Sequence, residues 1–273
     1  MLRRLLVLSV LSLSPWLGSG VASATQPPSP CALRFEGYGG MSVIDPESES
    51  TSNNANAGGT GSAGCLFGIF HVQGDVFGDY NDLDKIDGSH TDNFTNVGGG
   101  GHLGIADPEV GALEVNGAYN HVMIDEHNDS TNLWRIGGEG EYYFEPATFG
   151  VHAGYLKSTN DHGLLDDDGG FYARGMLRYY PTEEIKLEGI GGVGVINNDT
   201  VPQARVLAEW RPQSWPVGFF IRGEGAWDNS VDQYFATGGV RVYLFDEPAT
   251  LRETDRRYFR EACVQFLAGV RTC

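Results

Sequence analysis

The feature that most constrains this chain is an alternation of period two across residues 131–157, TNLWRIGGEGEYYFEPATFGVHAGYLK. Trp134, Ile136, Gly138, Gly140, Tyr142 and Phe144 fall on one face of the first arm, and Arg135, Glu139 and Glu141 fall on the other. After Glu145-Pro146 the alternation restarts, with Phe149, Val151, Ala153 and Tyr155 on one side and Thr148, Gly150, His152 and Gly154 on the other. Two such arms joined by a short Pro turn are a β-hairpin. Each arm exceeds the usual globular strand of about 5–6 residues and matches the roughly 9–11 residues that a tilted strand needs to cross a bilayer. One face is apolar or Gly with aromatics at its ends, and the other is charged. That is the pattern of a transmembrane β-barrel strand, apolar toward lipid and polar toward the lumen.

Residues 1–24 carry Arg3 and Arg4, an apolar run at 5–13 and the small Ala22-Ser23-Ala24, which together predict a secretory signal peptide cleaved before Thr25. Pro28-Ser29-Pro30 ahead of Cys31 does not fit a lipoprotein signal. No later apolar run has the roughly twenty residues of a spanning helix, so a membrane form must be a closed barrel. The net charge of −18 becomes more negative once Arg3 and Arg4 leave, which argues against nucleic acid as a partner. Glycine, at 39 residues, is scattered through strand-like segments, where it permits the bends of a curved sheet.

Alternation predicts further strands at 32–43, 58–66, 69–80, 94–106, 109–122, 170–180, 184–195, 201–211, 215–227 and 233–245, making twelve with the hairpin's two arms. The break near Phe67-Gly68 follows from the even strand number and short periplasmic turns of bacterial barrels. Short Pro-containing turns at Pro108, Pro146, Pro181 and Pro212 alternate with acidic or Asn-rich loops, a regularity for which a soluble β-sandwich gives no reason. The expected architecture is an all-β, antiparallel transmembrane barrel of about twelve strands over residues 32–245. A periplasmic lead-in at 25–31 precedes it, and a periplasmic tail at 246–273 follows. In the tail, Tyr258, Ala262, Phe266 and Val270 recur at i, i+4 and predict an amphipathic helix against the periplasmic rim. Alternation of Val264, Phe266, Ala268 and Val270 leaves an extra strand open.

The run GGGGHLGIADPEVGALEVNGAY (98–119) resembles alphaproteobacterial porin-like outer-membrane β-barrel proteins. So do the 131–157 hairpin, GFYARGMLRYYPTEEIKLEG and the ending GGVRVYLF, and the resemblance spans roughly residues 72–245. It implies residence in a bacterial outer membrane, among lipid and lipopolysaccharide, and brings no catalytic motif. It also implies a terminal aromatic read by the barrel insertion machinery, here Phe245, beyond which this chain departs by continuing into a basic tail.

Four cysteines in an exported chain suggest disulfides with three possible connectivities. Cys31, just before the first strand, and Cys65, near the end of the second, lie at one rim of the barrel and are expected to pair, leaving Cys263 and Cys273 to the tail. The spacing contains no CxxC element, so neither a metal-thiolate site nor any cofactor is read from it.

The inward rows carry both signs of charge. Arg135, Arg174, Arg178, Lys186, Arg205, Arg222 and Arg241 face Asp75, Glu114, Glu139, Glu141, Glu188, Glu209 and Glu224. These residues are expected to line the lumen, either as an aqueous pore with charge-based selectivity or as a lumen closed by cross-strand ion pairs, with Arg178 and Glu188 diagonal neighbours. Membrane-embedded hydrolases need Ser or Asp beside His, and no Ser stands in a nucleophile motif near His121, His127 or His162. The acidic runs at 79–88 and 166–169 lack the spacing of a calcium loop. The expected function is therefore non-enzymatic: a porin-like barrel passing small hydrophilic solutes or ions. The second reading is a non-conducting structural or adhesive barrel acting through its acidic outer loops.

Overall fold

A computed structural model describes residues 29–46, 52–82, 93–124, 129–160, 169–196, 199–213, 215–227, 231–244, 250–260, 264–267 and 270–272. Twelve strands close into one antiparallel barrel: β1 (Cys31–Pro46), β2 (Ser52–Phe67), β3 (Phe70–Asp82), β4 (Asn93–Asp107), β5 (Gly111–Ile124), β6 (Asp129–Phe144), β7 (Ala147–Asn160), β8 (Gly169–Thr182), β9 (Ile185–Ile196), β10 (Asp199–Trp210), β11 (Val217–Trp227) and β12 (Val231–Leu244). Every strand pairs with its sequence neighbours, and β12 closes on β1 from Leu33↔Leu244 to Pro46↔Val231. Among the described residues the closed barrel has no edge strand.

The barrel is inside out relative to a soluble domain. Leu113 is 66% exposed, whereas its neighbour Glu114 is 4% exposed. The same inversion puts Val76, Ile136, Phe171 and Ile221 outside and Asp75, Arg135, Arg178 and Arg222 inside. A large apolar side chain left in water forgoes about 1.5–3 kcal/mol, and here such residues recur on the outward rows of most strands. Only a hydrocarbon surround makes that arrangement favourable. Exposed aromatics cluster toward both ends. Tyr142–Phe144 and Trp210–Phe219 pair near the turns, and Tyr119–Trp134 and Tyr155–Phe171 pair toward the opposite rim. These are the two interfacial girdles of a membrane barrel.

The break near Phe67-Gly68 is a tight turn, with Gly68 at φ +66°, a conformation that favours glycine. The second strand differs from expectation. It begins at Ser52 and spans 16 residues, where a short strand from 58 was predicted. Its added residues pair with β1 as far as Ile44↔Ser52, and Asn54 is buried inside. Connections at the loop rim are all shorter than expected, because the strands run further at that end, and only residues 197–198 separate β9 from β10. Phe245, the acidic runs at 83–92 and 161–168, His90, His127 and His162 lie outside the described residues, as do the signal peptide, Cys263 and Cys273.

The tail departs most. A helix, α1 (Leu251–Tyr258), is set into the turn-side mouth of the barrel instead of lying on the rim. It starts against the 183–184 turn, where Leu251 N–H donates to the Glu183 carbonyl (3.1 Å), and ends beside β2 and β3. Helical spacing does not continue past Tyr258. β13 (Val264–Leu267) and β14 (Val270–Thr272) form a small antiparallel hairpin, so the barrel keeps its even parity. β13 lies near β11 and β14 near β4 and β5, on opposite walls.

Candidate functional site

The candidate site is the barrel interior where the wall meets the tail. All fourteen charged residues predicted from the alternation are buried on the inner wall. Their contacts divide them into two neighbourhoods.

On the wall from β8 to β12 and β1, guanidinium and carboxylate groups interleave. Arg178 donates to Glu188 (2.7 Å) and to Glu141 (3.1 Å). Arg205 bridges from Glu188 toward Glu224, and Arg222 lies 3.6 Å from Glu224. Arg222 and Arg241 both reach Glu36, at 3.0 and 2.8 Å, and Arg241 also binds Glu209. Lys186 closes the series on Glu209 at 2.9 Å. Arg178 and Glu188 are direct cross-strand partners and not the expected diagonal ones, because an irregularity between Tyr179 and Thr182 shifts the register at that turn.

The wall from β3 to β7 is built differently. Glu114 and Glu139 stand directly opposite each other on β5 and β6, and the next partner of Glu139 is His152. His102 contacts Glu139, and His71 Nδ1 lies 2.9 Å from Glu114. At its border with β8, Arg135 of this wall and Arg174 of β8 both lie over the ring of Tyr172, also on β8, at 5.7 and 4.9 Å.

The tail carries one charge to each wall. Asp255 accepts from Lys186 (2.9 Å) and from the Tyr180 hydroxyl (3.1 Å). Arg260 donates to Glu114 (2.9 Å), and its backbone N–H donates to the Gln73 side chain (2.6 Å). Burial opposes the Arg260 charge, but Tyr143, Glu141, Glu114 and Glu139 around it raise its pKa above the ordinary arginine value. It is therefore a fixed cation inside the mouth. Between these two anchors, Arg256 donates to the Ala147 carbonyl (2.7 Å) and His71 meets the Tyr258 carbonyl (3.1 Å). Gly64 makes the approach possible, since a Cβ there would sit 1.9 Å from the Tyr258 carbonyl oxygen. An isolated helix of eight residues is marginal in water. α1 is held by these contacts and by a capping box in which Thr250 and Glu253 satisfy each other's backbone N–H groups (3.2 and 2.9 Å).

Cys31 and Cys65 are direct partners on β1 and β2 and form a disulfide beside this mouth. Glu36, His71, His102, His152, Asp255 and Arg260 belong to the site and were not among the sequence-predicted lining residues. The first four stand on charged inward rows, but nothing local to Asp255 or Arg260 signals burial.

No family model matches this chain, and no curated relative matches it. Among solved structures it is similar to an outer membrane channel from Pseudomonas putida F1, with TM-score 0.57, 8% identity, and coverage of 83% of this chain and 100% of that one. It is also similar to the translocator domain of autotransporter NalP from Neisseria meningitidis, with TM-score 0.56, 10% identity, and coverage of 79% and 89%. The β domain of a Bordetella autotransporter gives TM-score 0.54 at 10% identity, covering 78% of this chain and 99% of that one. The fold is that of a bacterial outer-membrane β-barrel. At such identities the likeness is one of architecture, and what this barrel does is argued from its own interior.

Proposed function

We propose that this chain is a porin-like outer-membrane channel for small hydrophilic solutes or ions, held closed by its own C-terminal segment. The observation that carries this reading is the chemistry of the plug's seat. Twelve strands enclose more space than the eight-stranded barrels that side chains just fill. Here the mouth is occupied by a separate segment, docked through Asp255, Arg256 and Arg260 onto a polar wall. Polar groups of this kind can be satisfied by water once the segment withdraws, and withdrawal would expose a lumen lined by charge. Short turns mark the periplasmic end in bacterial barrels, so the plug closes that end. The alphaproteobacterial porin-like kinship suggested by the 98–119 run belongs to this reading, as do lipopolysaccharide and the insertion machinery as partners.

The test is single-channel conductance in planar bilayers of the refolded chain, full length and trimmed after Phe245. The expected result is rare openings for the full chain and sustained, ion-selective steps for the trimmed one. Silence from both, with insertion verified, would replace the channel by a non-conducting structural barrel.

A further inference from the structure

We propose that His102, Glu114 and Glu139 form a binding site for one divalent transition-metal ion of the zinc class, with His152 as an additional ligand. One ligand atom from each of the first three lies within 4.8 Å of the other two. A tetrahedral zinc ion with bonds of about 2.0–2.2 Å places its ligands roughly 3.3–3.6 Å apart, so modest side-chain rotation completes the site.

Three further observations point to a cation. The first is register. Glu114 and Glu139 are direct cross-strand partners inside the barrel, and like charges placed so are destabilising unless something positive stands beside them; Arg260 does this for Glu114, whereas Glu139 has histidines against it. The second is unused ligand capacity. Glu114 and Glu139 are 4% and 3% exposed, yet Oε2 of each has no hydrogen-bond partner, and neither does His152 Nε2. Buried polar atoms in this state are costly, and a metal ion held by His102, Glu114 and Glu139 would engage the two carboxylate oxygens. The third is the donor set. Imidazole mixed with carboxylate suits zinc, copper or nickel, whereas calcium and magnesium prefer oxygen alone. Asp75, whose Oδ2 lies 3.7 Å from His102 Nε2, stands where the carboxylate that orients a ligating histidine would be.

The site shares Glu114 with the plug. Arg260 takes Oε1 of that carboxylate, so the guanidinium and the metal ion compete for one buried negative charge. Sequence shows no contiguous metal motif because the ligands come from β4, β5, β6 and β7. The metal site stands on these contacts whether or not the barrel conducts.

The experiment uses the full-length chain, without a polyhistidine tag, folded in detergent and stripped with chelator. Zn2+ is titrated calorimetrically and Co2+ by its visible absorption. The expected result is one tight equivalent, undisturbed by millimolar Mg2+. Its affinity should fall at least tenfold in His102→Ala and in Glu139→Gln, stay unchanged in Glu224→Gln on the opposite wall, and rise in Arg260→Ala. No stoichiometric binding by the folded chain would overturn the proposal. So would binding that survives both ligand substitutions, which would assign the ion to other histidines. Folding of each variant is read from its heat-dependent gel mobility, and if His102→Ala does not fold, His102→Gln takes its place. A Zn2+-dependent rise in unfolding temperature, present in the parent chain and absent in Glu139→Gln, is the second readout.

Discussion

The two walls of the lumen solve the same problem in different ways. From β8 to β12 and β1, almost every buried carboxylate has a guanidinium or ammonium of its own wall against it: Glu188 lies between Arg178 and Arg205, and Glu36 lies between Arg222 and Arg241. Arginine is always charged and its planar fork reaches two acids at once, so the carboxylates of this wall draw on no cation from outside it. From β3 to β7, Asp75, Glu114 and Glu139 sit among His71, His102 and His152, and the nearest strong cation to Glu114 is Arg260, borrowed from the tail. The plug is matched to this asymmetry. It gives Asp255 to the wall rich in cations and Arg260 to the wall rich in acids. One wall holds the barrel together, and the other depends on what is bound in it.

If that contrast is real, removing a carboxylate from the wall of β8 to β12 and β1 should have the largest effect. Glu188→Gln leaves two buried guanidiniums sharing a neutral amide, and breaking such a pair costs about 3–5 kcal/mol. Urea unfolding of the barrel from detergent, followed by tryptophan fluorescence, should show a loss of that size. A loss below 1 kcal/mol would mean that the network is hydrated and the two walls are alike. Next in size is Arg260→Ala. Loss of a hydrogen bond to a charged group removes about 1.5–3 kcal/mol. On the proposed channel reading that contact joins plug to wall, so the loss should appear as roughly 10- to 100-fold more frequent channel openings, with little change in the unfolding of the barrel itself. An equal change in barrel unfolding would show that the tail is part of the fold and not a plug upon it.

How much of this was legible follows from what each signal measures. Period two is local, so it revealed which side chains share a face, and Arg178, Glu188 and Glu141 could be placed inside before their partners were known. The 52–57 stretch gave no such signal. On β2 the outward residues are Ala55, Ala57 and Ala63 and the inward ones are Asn54 and Ser62, so neither face looks apolar. The tail's helix is present, but not where the spacing put it. Regular spacing of Tyr258, Ala262, Phe266 and Val270 suits a helix that begins at Tyr258 and covers an apolar surface, whereas α1 ends there and residues 251–260 are buried in a polar lumen, with Asp255 and Arg260 as anchors. Those contacts join residues 69 and 146 apart in sequence. Register is the missing quantity throughout. Alternation shows His152 facing inward, but only the pairing of β6 with β7 sets it opposite Glu139. The Cys31–Cys65 disulfide was readable because both residues flank the same rim, which needs topology but no register.

The smallest expected effect discriminates best between the walls. Glu139→Gln is the same chemical change as Glu188→Gln, made on a residue of similar burial. It keeps an acceptor for His102 and removes the repulsion with Glu114 across the strand pair. Relief of a direct like-charge pair in a sheet returns about 0.2–1 kcal/mol, and the lost charge-assisted contact with His102 costs about 1.5–3 kcal/mol. In metal-free buffer the variant should therefore be less stable than the parent chain by about 0.5–2.8 kcal/mol. With Zn2+ present the parent chain alone should gain stability, so the two curves should separate further, by about 2.7 kcal/mol at a metal concentration one hundred times Kd. A loss of 3–5 kcal/mol without metal would instead place Glu139 in a balanced ion pair like that of Glu188, and the division of the lumen into two unlike walls would fail.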